Sequence, residues 1–103
     1  MRIIGGSLKG RRLSAIKTES NITNLRPTTD RIKESLFNIL FGGKFDVKIE
    51  EARILDIFAG SGALGLEAIS RGAKSCTFIE KNKACIRLLN TNLKICNIKN
   101  QTN

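Results

Sequence analysis

One stretch constrains the fold of this chain more than any other. Arg53-Ile54-Leu55-Asp56-Ile57-Phe58 is a short, largely apolar run, and Gly60-Ser61-Gly62-Ala63-Leu64-Gly65 follows almost at once. Leu64–Arg71 then carries a helical pattern that Gly72 stops, and Ser75–Glu80 is a second short run closed by an acid. Strand, GxGxxG, helix, strand, acid is the order of a βαβ nucleotide-binding unit. The first run predicts a buried strand of the parallel type. Gly60, Gly62 and Gly65 remove side chains where the backbone must turn tightly and approach a ligand. The helix that follows offers free N–H groups and a positive dipole end. Glu80 lies 20 residues after Gly60. A carboxylate there can accept hydrogen bonds from both hydroxyls of an adenosine ribose.

NAD and S-adenosylmethionine both use this arrangement. Asp56, four residues before the first glycine, favours the second. A carboxylate close to the turn suits a ligand bearing a sulfonium and an ammonium, and suits a pyrophosphate less well. A basic arm and an amphipathic helix also precede the first strand, which is therefore not at the start of the chain.

The rest of the chain fits around this unit. Arg2–Ile4, Gly5-Gly6 and Leu8–Leu13 predict a short hairpin or extended arm, and residues 14–25 a polar loop. Arg26-Pro27-Thr28-Thr29-Asp30 opens a helix, with Thr28 or Thr29 as cap and Asp30 complementing the dipole. Ile32, Ser35, Leu36, Ile39 and Leu40 mark its apolar face, Phe37 and Phe41 extend that face, and Gly42-Gly43 ends it. Residues 44–51 read as a charged loop. A last helix covers about residues 82–95, with Cys85, Leu88, Leu89, Leu93 and Cys96 on its apolar face. The polar tail Lys94–Asn103 is expected to fray. Cys76, Cys85 and Cys96 are odd in number, lack CxxC spacing and read as core residues.

Composition narrows the chemistry. The 103 residues allow one modest domain. No His, Trp or Tyr is present, which removes His-dependent nucleophilic catalysis and His-based zinc sites. No metal is expected. No apolar run approaches the roughly 20 residues of a membrane span, and no targeting stretch opens the chain, so no membrane partner and a cytoplasmic location are expected. The net charge of +9 is unevenly spread. Residues 1–17 carry +5, residues 18–80 carry −1, and residues 81–103 carry +5. Basic ends on a near-neutral centre suit nucleic-acid binding, because phosphate neutralisation dominates such binding.

Three motifs together resemble one family. Leu55-Asp56-Ile57-Phe58-Ala59-Gly60-Ser61-Gly62-Ala63-Leu64-Gly65-Leu66-Glu67-Ala68 resembles the cofactor loop of the RsmD-type bacterial 16S rRNA guanine-N2 methyltransferases. Met1–Gly6 and Gly10-Arg11-Arg12-Leu13 resemble that family's N-terminal arm, and Leu25–Asn38 its second signature. The resemblance reaches to about residue 93. It implies an α/β class I methyltransferase fold of Rossmann-like type, here a hairpin arm, an N-terminal helix and the first βαβα unit. Residues 1–25 would be the arm and loop, and residues 26–103 the N-terminal half of the methyltransferase domain. It implies S-adenosylmethionine as donor, and as partner 16S rRNA or an assembling small ribosomal subunit with an exocyclic guanine amine as acceptor. Asp56, Phe58, Gly60, Gly62, Gly65 and Glu80 would bind the cofactor, with Asp56 at the loop and the amino-acid end and Glu80 on the ribose. Thr28 and Asp30 would stand at the cofactor mouth beside Arg26; plain helix capping is the alternative for both. Arg2, Lys9, Arg11, Arg12 and Arg26 would meet RNA.

The sequence also departs from that family. Methylating an exocyclic amine needs two acceptors for its hydrogens and an aromatic platform for the base, which the family supplies with an Asn/Asp-Pro-Pro-Tyr/Phe motif. Pro27 is the one proline here, and tyrosine is absent. No residue is therefore assigned as catalytic. The chain reads as a methyltransferase part that ends early and is inactive alone, with a possible companion chain carrying the remainder. An RNA-binding module without chemistry and a NAD-binding Rossmann domain are the competing readings.

Overall fold

The computed structural model describes residues 1–14, 29–42, 48–57 and 59–98. Arg26, Thr28 and Phe58, the loop over residues 15–25, Gly43 and the end of the tail lie outside them. Five elements follow one another: α1 (Asp30–Phe41), β1 (Arg53–Ile57), α2 (Ala63–Ser70), β2 (Ser75–Ile79) and α3 (Lys83–Ile95). Each boundary falls within a residue or two of the sequence expectation, and α1 opens at Asp30 behind the Thr29 cap.

Capping chemistry sets the helix ends. The Thr29 side chain accepts the Ile32 N–H at 3.2 Å, and Asp30 complements the dipole of the first turn. Asn82 does the same for α3 by accepting the Cys85 N–H at 3.1 Å. Two helices close with the same C-terminal device. After α2, Gly72 takes φ 115°, its N–H reaches Ile69 O, and the Ala73 N–H reaches Ala68 O. After α3, Asn97 takes φ 56°, its N–H reaches Lys94 O, and the Ile98 N–H reaches Leu93 O. Asn is one of the few side chains that tolerates this conformation. Residues 94–98 are therefore ordered, contrary to the frayed tail expected from their polarity. Ile98 packs on the core.

β1 and β2 pair in parallel, with Ile54 opposite Cys76 and Asp56 opposite Phe78. α2 packs across both strands on the side of Ile54, Asp56, Cys76 and Phe78. The main core joins Leu66 of α2, Cys76 and Phe78 of β2, and Leu89, Leu93 and Cys96 of α3 to Ile3 and Leu13 of the arm. All three cysteines are buried and unpaired, as read from the sequence.

Two expectations are corrected. β1 is not buried on both faces: Leu55 and Ile57 are 57% and 53% exposed, and Ile79 beside them is 40% exposed. On α1 the buried stripe is Lys33 and Phe37, while Ile32, Leu36, Ile39 and Leu40 face outward. The reason is common to both. Among the described residues, nothing stands on the second face of the sheet, and α1 touches the rest through one narrow line.

The arm is a hairpin, as expected, with its ladder reduced to a single Arg2–Arg12 bridge. Ile3 N–H bonds Arg11 O, and Leu13 N–H bonds Met1 O, both at 2.9 Å.

Candidate cofactor loop and arm clamp

The loop between β1 and α2 is built by the backbone. Gly60 and Gly62 take φ 56° and 84°, a region that side-chain-bearing residues enter at a cost. A Cβ on Gly62 would also overlap Leu89, and one on Gly65 would overlap the Phe78 ring and Cys76 Sγ. Gly65 therefore serves close contact between helix and strand, and the first two glycines serve the turn. The α2 N-terminus has no side-chain cap.

Glu80 ties this loop to the next helix. One carboxylate oxygen accepts the Gly60 N–H at 2.7 Å. The other accepts the Lys81 and Asn82 N–H groups at 2.9 and 2.8 Å. The acid after the second strand and the first glycine of the loop, 20 residues apart, thus meet directly.

Asp56 occupies a different niche. It lines a cavity of about 190 Å³ with Leu36, Phe37, Leu40 and Leu64. Burial pushes its pKa above the ordinary carboxylate value; the Gly65 N–H opposes that shift and the Glu80 charge adds to it. Its second oxygen is buried without a partner among the described residues. The same burial, with the Asp56 charge, pushes the Cys76 thiol up to about 12, so this cysteine is inert at neutral pH.

Asp30 is not gathered with these groups. It accepts the Arg2 N–H at 3.0 Å and faces the Arg2 guanidinium at 3.7 Å, so it holds the arm. Lys9, Arg11 and Arg12 are exposed on that arm.

Sequence reasoning missed the arm's anchor. Glu67, fully buried, accepts the N–H groups of Ile4 and Gly5 at 2.9 Å each. It also pairs with buried Lys33 at 3.3 Å and with Arg71 at 2.8 Å. Lys33 donates to Arg2 O, and the Arg71 guanidinium lies 4.9 Å over the Phe37 ring. Burial raises the Glu67 pKa, but the Ile4 N–H, Arg71, the Gly5 N–H and Lys33 outweigh it and leave the carboxyl below its usual range. One turn on, Ser70 accepts the Leu8 N–H and donates to Gly5 O. Asn92 was missed as well. Its buried side chain donates to Ser14 O and Ser61 O and accepts the Ser14 N–H, joining arm, glycine loop and α3. A second Lys33–Phe37–Phe41 stripe at i, i+4, i+8 was the available signal for the true face of α1.

The family described as conserved hypothetical protein 95 matches residues 1–103. The chain belongs to that family. It is 49% identical over 98 residues to ribosomal RNA small subunit methyltransferase D of Buchnera aphidicola, covering 95% of this chain and 47% of that protein. It is 48% identical over 93 residues to the protein of the same name from Escherichia coli K12, covering 90% of this chain and 42% of the other. Among solved structures it superposes on a candidate methyltransferase, yhhF of Escherichia coli, with TM-score 0.74 and 40% identity, over all of this chain and 49% of that one. The chain spans less than half the length of these relatives. The resemblance read from the three motifs is thereby borne out, and the architecture is part of a class I methyltransferase fold. No helix among the described residues is long and apolar enough to cross a membrane.

Proposed function

We propose that this chain is the cofactor-binding part of an rRNA methyltransferase. One observation carries the reading: two left-handed glycines at a strand-to-helix turn, with the Gly60 N–H held by the acid that ends the next strand. That geometry fits S-adenosylmethionine. The left-handed turn at Gly60 and Gly62 brings bare backbone to the start of α2, and the α2 terminus, which no N-cap side chain closes, suits the cofactor's carboxylate. When bound, the cofactor supplies an electrophilic methyl group on sulfur.

The chain's own residues bind and orient. An ionised carboxylate has about four acceptor positions, and backbone N–H groups occupy three on Glu80. Glu80 thus keeps room for one ribose hydroxyl while the loop stays closed, rather than for two. Asp56 offers its unpartnered oxygen to a cationic donor beside the loop. Arg2, Lys9, Arg11, Arg12 and Arg26 present positive charge to RNA phosphates. The acceptor is the exocyclic amine of a guanine in 16S rRNA. The groups that accept its hydrogens and hold the base come from a further segment or companion chain, so this chain has no turnover by itself. The setting is the cytoplasm, where small subunits assemble.

Calorimetry tests the cofactor. S-adenosylmethionine is expected to bind and NAD is not; the reverse preference overturns the reading. Glu80→Ala is expected to weaken cofactor binding by about 1–3 kcal/mol, the cost of leaving that hydroxyl unpaired. Unchanged affinity refutes the ribose role. Methyl transfer to small-subunit rRNA by the isolated chain would contradict the division of labour.

A further inference from the structure

The second basic block of the sequence has no role in the functional reading above. Residues 81–98 contain Lys81, Lys83, Arg87 and Lys94 and no acid. On a helix of 3.6 residues per turn, Lys83, Arg87 and Lys94 fall within about 40° of one another. All three are exposed. None has a side-chain hydrogen-bond or ion-pair partner among the described residues. The opposite face of α3 is fixed, with Cys85, Leu89 and Leu93 buried in the core. The stripe is therefore held in place, about 16 Å from end to end at 1.5 Å per residue.

The arm meets its far end. Arg11 donates to Ile95 O at 2.7 Å, capping the last turn of α3, and Asn92 grips Ser14. Arg11 of the first basic block and the end of the helix that carries the second, 84 residues apart along the chain, are thus joined in space. We propose that this joined surface, the α3 stripe with Arg11 and its exposed neighbour Arg12, binds the sugar–phosphate backbone of helical RNA.

Two observations choose that partner. A helix that lies on an anionic membrane needs exposed apolar residues beside its charges. Among the described residues the exposed large hydrophobics are on α1, β1 and β2, and α3 has none. Single-stranded RNA is held by stacking bases on aromatic rings, and neither α3 nor the described arm carries an aromatic residue. What remains is a rigid row of charges at helical spacing, which suits a regular phosphate backbone. The inference takes RNA as partner from the proposed function and needs no cofactor.

The test is a titration of the whole 103-residue chain with a labelled RNA duplex across roughly 50–300 mM salt. Each lost phosphate contact lowers the salt slope by about 0.7–0.9. K83Q/R87Q/K94Q is expected to lower the slope by about 2 and weaken low-salt affinity about tenfold or more. K83R/K94R, which keeps the charge, is expected to bind as the original does, with the same helicity by circular dichroism. Unchanged slope and affinity in the triple Gln variant overturn the proposal. So does preference for single-stranded RNA, or displacement of the duplex by anionic-lipid vesicles. Failure of cofactor binding with the slope effect intact would overturn the functional reading and leave this surface standing.

Discussion

Glu67 shows how much one side chain can be asked to hold. Four donors converge on a carboxylate that water does not reach. Truncation leaves the Lys33 ammonium buried without its partner. Glu67→Ala is therefore expected to destabilise the chain by about 3–5 kcal/mol, read from urea unfolding. That is a large share of the 5–15 kcal/mol typical of a folded domain. The pH dependence has a definite sign. The folded pKa lies below the usual value of about 4.3, so the Glu67 contribution is complete above that value and is lost as pH falls through the folded one. An acid-induced loss of stability that Glu67→Gln still shows would assign it elsewhere. Asp56 has the opposite sign. Its folded pKa is raised, so its ionised form costs stability at neutral pH, and Asp56→Asn is expected to raise the thermal midpoint. The sequence made Asp56, Gly60, Gly62, Gly65 and Glu80 legible because glycine freedom and a lone acid have few other uses at that spacing. Lys33 and Glu67 were illegible because an isolated charge reads as solvent-facing until its partner is known.

At the scale of elements, turn chemistry was the clearest signal. The glycine loop and the Gly72 stop fall where the sequence puts them. Asn97 performs the same stop after α3 and was overlooked, since Asn also reads as polar tail. The two glycines Gly62 and Gly10 separate conformational cost from crowding. Both have left-handed φ, but a Cβ on Gly10 meets nothing within 4 Å, whereas one on Gly62 meets Leu89. Gly10→Ala is expected to cost about 1–2 kcal/mol, and Gly62→Ala distinctly more, by thermal unfolding. Equal costs would mean that Leu89 gives way freely. Of the apolar face expected for α1, Phe37 and Phe41 meet the core and the rest does not. In its stronger apolar periodicity Ile32 and Ile39 have no cover among the described residues, and Leu36 and Leu40 only rim the Asp56 cavity, so periodicity alone could not say which stripe meets the core.

For the whole molecule, the open side of the sheet is the dominant fact. Leu55, Ile57 and Ile79 form an apolar face on a two-stranded sheet, and the chain spans less than half the length of its relatives. Exposed apolar strands associate. The isolated chain is expected to self-associate with rising concentration in sedimentation, and Leu55→Thr with Ile57→Thr to reduce that association. Monomeric behaviour at high concentration would refute an adhesive role for this face. The parallel βαβ architecture was legible from the order of motifs. The extent of burial was not, because burial depends on what else stands beside the sheet.

The arm's anchors also impose an order of events. Its partners Glu67, Ser70, Asn92 and Ile95 stand 62 to 84 residues further along the chain. Closing loops of that length costs entropy that only the finished contacts return. The arm therefore cannot find its place until α2 and α3 exist.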